Sequence, residues 1–106
     1  MVPIPDHWEL FMWEKYPRQN PETPTRTIEG EAIVITPDDS KMHNLNPTAT
    51  FIWDRADGTQ TLEAIFQAMQ AEYEVSETQL RDDILAFVNE SQSKGMLDMA
   101  DISNPL

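Results

Sequence analysis

Apolar positions along this chain follow two different rhythms, short β-branched runs first and helical spacing afterwards. Arg26-Thr27-Ile28, the turn Glu29-Gly30 and the run Ala32-Ile33-Val34-Ile35 within Glu31 to Thr36 predict two paired strands. Pro37-Asp38-Asp39-Ser40 is a cluster of turn formers. Lys41-Met42-His43-Asn44-Leu45 then returns as a third strand until Asn46-Pro47 stops it. The expected product is a three-stranded antiparallel meander. Because Ala32 to Ile35 shows no alternation, that strand is expected at the centre and covered on both faces, leaving Lys41 to Leu45 at an edge.

After Pro47 the spacing lengthens. Asn46 is a good N-cap and Pro47 a good first helical residue, and Ala49, Ile52, Trp53 and Ala56 share one helical face up to Asp57-Gly58. Thr61 caps a second helix in which Leu62, Ile65, Phe66, Met69 and Tyr73 form one apolar stripe about 100° wide. Ser76-Glu77-Thr78-Gln79 reads as a capping box. It opens a third helix with Leu80, Ile84, Phe87 and Val88 on one face and Lys94-Gly95 as its stop. Strands followed by helices predict an α+β fold, a three-stranded antiparallel β-meander followed by a three-helix bundle, with a winged helix-turn-helix-like outline.

Flanking this unit, residues 1–25 mix Trp8, Phe11, Trp13 and Tyr16 with acids and with Pro17, Pro21 and Pro24, and read as an aromatic arm rather than a core element. Four aromatics suit packing on the arm's own domain or on a second copy, so a homodimer through the arm is one expectation. Residues 26–98 form the expected domain. Met96 and Leu97 tuck back onto it, and residues 99–106 are expected to form a flexible tail.

At 106 residues with 40% apolar content, the chain supports one small core and no large cleft. Without cysteine, burial alone must hold it. No apolar run approaches the roughly 20 residues of a membrane span, and residues 1–20 lack a signal-peptide pattern, so a cytoplasmic protein is expected. Nineteen acids against seven bases give a net charge of −12, which repels polyanions. From Thr59 to Lys94 the bases are Arg81 and Lys94, against acids such as Glu63, Glu77, Asp82, Asp83 and Glu90. Nucleic-acid reading, which needs cations on the recognition helix, is therefore disfavoured.

Catalytic chemistry fares no better. His7 and His43 stand in different types of segment and neither has a metal motif. Asp82 and Asp83 diverge by about 100° on a helix and do not form a carboxylate pair. Gly30, Gly58 and Gly95 each mark a turn or cap, so no phosphate loop exists. Neither an enzyme nor a cofactor is expected. What remains is an extended-chain binding surface: the edge strand Lys41 to Leu45 with the third helix as the opposite wall. Met42, Leu45, Ile84, Phe87 and Val88 are candidates for its apolar lining.

Leu45-Asn46-Pro47-Thr48-Ala49-Thr50-Phe51-Ile52-Trp53, followed by Asp57-Gly58-Thr59-Gln60-Thr61-Leu62-Glu63-Ala64-Ile65, resembles the PqqD-like family. Asp83-Ile84, Phe87-Val88 and Gly95-Met96-Leu97 resemble its closing helix. The resemblance implies a peptide recognition element that binds the leader of a ribosomally made precursor peptide and presents it to a modifying enzyme, often a radical SAM enzyme. PQQ biosynthesis is one such pathway among several. It also implies that the leader adds as a strand beside Lys41, Met42, His43, Asn44 and Leu45, under Leu80, Asp83, Ile84 and Phe87. Two departures stand out: Ser91 where an apolar residue is usual, and Ala56 in place of a larger aliphatic one, so the core is expected to be looser there or filled by the arm. A scaffold protein that dimerises or docks on an enzyme through the arm is the alternative reading.

Overall fold

The computed structural model of the chain describes residues 11–36 and 39–103. His7, Trp8, Pro37, Asp38 and residues 104–106 of the expected tail lie outside the described residues. The element order is β1 (Tyr16–Gln19), β2 (Thr25–Ile28), β3 (Glu31–Ile35), β4 (Met42–Asn44), α1 (Pro47–Arg55), α2 (Leu62–Glu72), α3 (Glu77–Ser93) and β5 (Leu97–Ala100), preceded by helical residues 11–13. Mixed α+β architecture is thus present, with all strand pairing antiparallel.

The meander forms as the turn chemistry predicts. Glu29 and Gly30 both adopt positive φ, 53° and 82°, the handedness that closes a two-residue hairpin without splaying its strands. Ile28 then faces Glu31, and β3 lies between β2 and β4. Its central position matches the expectation, but its coverage does not. Ala32 and Val34 are fully buried while Ile33 and Ile35 are only half-buried. The helices occupy one side of the sheet, so a strand central in pairing still has one wetter face. A run of β-branched residues does not distinguish these cases.

Each helix begins at the expected cap. The side chains of Asn46, Thr61 and Ser76 accept from the amides of Ala49, Ala64 and Gln79 at 2.8, 3.1 and 3.2 Å. Such caps stabilise a helix by about 1 kcal/mol each. Two apolar clusters meet along the helices. One gathers Ile52, Leu62, Ile65, Phe66, Met69, Leu80, Ile84 and Val88; the other joins Ala32 and Val34 of the sheet to Leu45, Ala49, Trp53, Ala56, Met96 and Leu97.

The arm departs most from the sequence reading. Residues 16–19 are a strand, paired with β5 from Tyr16↔Ala100 to Gln19↔Leu97, so residues 97–100 are paired as well. Pro17 is compatible with this because of parity. Asn20 donates to the Met96 carbonyl, which places the bonded pairs at Arg18 and Tyr16 and turns the Pro17 nitrogen away from β5. On that far side the Pro17 carbonyl accepts from Gly58.

Ahead of β1, Met12 and Trp13 are buried in the first cluster, whereas Phe11 is 61% exposed. Trp13 packs edge-on against Phe66, ring centres 5.8 Å apart. The Arg81 guanidinium lies 3.9 Å from the Phe66 ring centre and 4.6 Å from that of Trp13 while bonding to Glu63 and Glu77. The described part of the arm, residues 11–25, therefore packs on its own domain.

Two outcomes follow. Trp13→Ala should cost about 3–5 kcal/mol in urea unfolding, as for a core aromatic, while Phe11→Ala stays within about 0.5 kcal/mol. The Arg81 hydrogen bonds hold the Glu63 carboxyl below the ordinary glutamate value of 4.5, an effect that burial opposes and the Gln67 amide reinforces. A depressed folded-state value means that this contribution is complete above pH 4.5 and is lost as pH falls through the lower folded value. Glu63→Gln should therefore flatten the acid limb of stability against pH, measured by thermal melting.

Candidate functional site

The third strand of the meander pairs with β3 on one side and, among the described residues, with no strand on the other. Thr36 donates to the Lys41 carbonyl and Leu45 to the Ala32 carbonyl, which fixes Lys41, His43 and Leu45 as the residues bonded to β3. The N–H and C=O groups of Met42 and Asn44 consequently point outward from the sheet. Side-chain direction follows from the same register. His43 lies opposite buried Val34 on the helix side, while Met42 and Asn44 lie opposite Ile35 and Ile33 on the wetter face.

Thr50 of α1 shapes the end of this strand. Its hydroxyl accepts from the Ala32 amide at 3.0 Å and donates to the Leu45 carbonyl at 3.1 Å. It thereby bridges the Ala32 amide to the Leu45 carbonyl, alongside the direct bond from the Leu45 amide to the Ala32 carbonyl, and ties β3, β4 and α1 together in the buried interior.

Between this edge and α3 runs a groove of about 570 Å³. Met42, His43, Asn44 and Leu45 line one wall, and Asp83, Ala86, Phe87, Glu90, Ser91 and Lys94 the other. Asn46, Thr48, Ala49 and Met96 complete the lining.

Of the residues named from sequence, the structure brings Met42, His43, Asn44, Leu45, Asp83 and Phe87 together around the groove. Lys41 sits exposed at the start of the strand and outside the lining. Leu80, Ile84 and Val88 are buried in the first core cluster. They brace α3 from behind and do not line the groove. Sequence reasoning did not place Ala86, Glu90, Lys94 or Met96 at this site. Phe87 supplied the signal that would have found Glu90 and Lys94, three and seven positions further along the same helix face.

The groove has an apolar floor and charged rims. Leu45, Ala49 and Met96 belong to the second core cluster, with half-buried Phe87 packed against it. On the α3 rim, Lys94 bonds Glu90 at 2.6 Å, and this hydrogen bond and the Lys94 charge lower the Glu90 carboxyl below its usual range. The Asp83 carboxylate accepts from the Gln79 amide at 2.9 Å. At the approach to β4, Asp39 accepts from the Thr36 hydroxyl and the Lys41 amide, which holds its carboxyl low. Among the described residues no group of three or more His, Cys, Asp or Glu is disposed to hold a metal ion.

A small antiparallel sheet thus faces a helix across an apolar-floored groove, the kind of geometry into which extended chains can add as strands. Residues 31–97 match the family described as Coenzyme PQQ synthesis protein D (PqqD), and the chain belongs to that family. Two solved structures share its fold. One is described as TbiB1 in complex with the TbiA(beta) leader peptide, with 20% identity and a TM-score of 0.69 over 76% of this chain and 94% of that one. The other is lasso peptide synthetase B1 complexed with the leader peptide, with 25% identity and a TM-score of 0.63 over 78% of this chain and 98% of that one. No curated protein matched the sequence.

Proposed function

We propose that this protein is a non-catalytic accessory domain that binds the leader of a ribosomally made precursor peptide by strand addition to β4 and presents it to a modifying enzyme. The open backbone edge at Met42 and Asn44, facing the groove, carries this reading. Both fold relatives were solved with leader peptides, which supports it. The ligand-binding unit is taken as residues 26–98, in a winged helix-turn-helix-like arrangement whose closing helix faces a peptide rather than DNA. Acids on α3 favour that choice, since phosphate contacts require cations.

Energetics require more than a ladder. Met42 and Asn44 offer about four backbone bonds at a net ~0.5–1.5 kcal/mol each, against an association cost of ~4–15 kcal/mol. Two or three ligand side chains must therefore be buried at ~1.5–3 kcal/mol each to reach micromolar binding. Leu45, Ala49, Phe87 and Met96 provide the apolar surface for them.

The modifying enzyme is the implied second partner, and the cytoplasm the implied compartment. No helix among the described residues is long and apolar enough to cross a membrane.

Peptides selected against the wild-type protein from a random display library provide the test. Met42→Pro removes an outward N–H, and Phe87→Asp places a charge on the groove wall. Each should weaken binding at least tenfold in fluorescence titration, while Glu72→Gln on α2 leaves it unchanged. Equal affinities across the three variants would refute strand addition at this groove.

A further inference from the structure

The buried face of α3 consists of Leu80, Ile84, Val88 and Ser91. Three aliphatic residues follow one another at helical spacing, and the fourth position, only 2% exposed, holds a hydroxyl-bearing side chain of minimal size. Leu80, Ile84 and Val88 fill the first core cluster. Ser91, one turn further, lines the groove instead, together with Leu45, Ala49, Phe87 and Met96. An aliphatic side chain at 91 would project into the space these residues surround. The helix thus interrupts its own apolar stripe at the point where it meets the groove.

We propose that Ser91 sets the depth of a side-chain pocket in the groove floor, and that the bound peptide fills it with one bulky apolar residue of the leucine, methionine or phenylalanine class. The inference rests on strand addition at β4 and deepens it by naming what the groove selects. Register supplies the donor position. A strand paired with the outward groups of Met42 and Asn44 turns the side chains opposite His43 and Leu45 toward α3, because His43 itself lies on the helix side of the sheet. One of these two ligand residues enters the pocket. Leu45, Ala49 and Met96, buried members of the sheet-side cluster, supply its apolar side, while polar side chains line the rest of the groove.

Filling the pocket from within separates this role from a structural one. Ser91→Leu, or Ser91→Val where leucine overpacks, restores the aliphatic stripe, so thermal stability should hold or rise while peptide affinity falls. Random dodecapeptides displayed on phage are selected on the full-length wild-type protein, and the best binder is synthesised with a fluorescent label. Ser91→Ala should bind it within about twofold, and the valine or leucine variant at least tenfold more weakly at an undiminished melting temperature. Replacing the peptide's bulky apolar residue with alanine should weaken binding to wild type but add little in the filled variant.

Wild-type affinity in both filled variants overturns the pocket, as does an equal loss in Ser91→Ala, which would make the hydroxyl rather than the space the recognised feature. Met42→Pro in the same assay keeps the two readings apart. Binding lost there but retained in the filled variants sinks the pocket alone; binding retained throughout, or no selected peptide at all, sinks strand addition with it.

Discussion

A single buried hydroxyl helps hold the β4 edge in place. Thr50 stands between the Ala32 amide and the Leu45 carbonyl, so half of the last rung of the β3–β4 ladder runs through a helix side chain, beside the direct bond from the Leu45 amide to the Ala32 carbonyl. Burying these two backbone groups unpaired would cost about 1–3 kcal/mol each, which makes the bridge a strong constraint on where α1 can sit. With α1 fixed against the sheet, the chain leaving β4 turns at Asn46 into the helix, and the outer side of Met42 and Asn44 stays uncovered by α1. On the same apolar cluster lie Trp53 and Met96, which position the second wall.

That second wall is held from the opposite end of the chain. Asn20, just beyond β1, donates its amide to the Met96 carbonyl and its side-chain nitrogen to the Gly95 carbonyl at 2.8 and 2.9 Å. Gln19 donates to the Ala56 and Trp53 carbonyls. Strand β1 therefore clasps the ends of α1 and α3, and Trp13 with Arg81 fastens the start of α3 to α2. A groove between a three-residue strand and a long helix has little stiffness of its own. Here the segment read as an arm supplies it, and the Ala56 position, small in this chain, lies fully buried beneath that clasp.

The local signals were legible. Caps at Asn46, Thr61 and Ser76, the turn at Glu29-Gly30 and the stop at Gly95 each act through neighbouring residues, and each element formed within a residue or two of its expected bounds. What was not legible is long-range. Pairing of Tyr16–Gln19 with Leu97–Ala100 joins opposite ends of the chain, and Pro17 argued against a strand because parity is invisible until the partner is known. The candidate site split the same way. Met42 to Leu45 lie where an edge strand must put them, whereas helical spacing alone left Leu80 and Ile84 undistinguished from Phe87. Only the packing of α2 shows that the first two face the core and the third borders the groove.

An open edge strand is a hazard, since it invites pairing with any exposed strand, including those of other copies. The fold limits the risk in three ways. Strand β4 is only three residues long, Pro47 lies three residues beyond Asn44, and a net charge of −12 keeps copies apart. None of these removes the edge, and among the described residues the other strand pair, Tyr16–Gln19 with Leu97–Ala100, forms a separate sheet. Water satisfies the outward N–H and C=O groups of exposed Met42 and Asn44, so this edge persists at little cost beside a groove floored by Leu45, Ala49 and Met96. In the pocket proposed at Ser91, the burial forgone by a small side chain is recovered when a ligand side chain occupies the space.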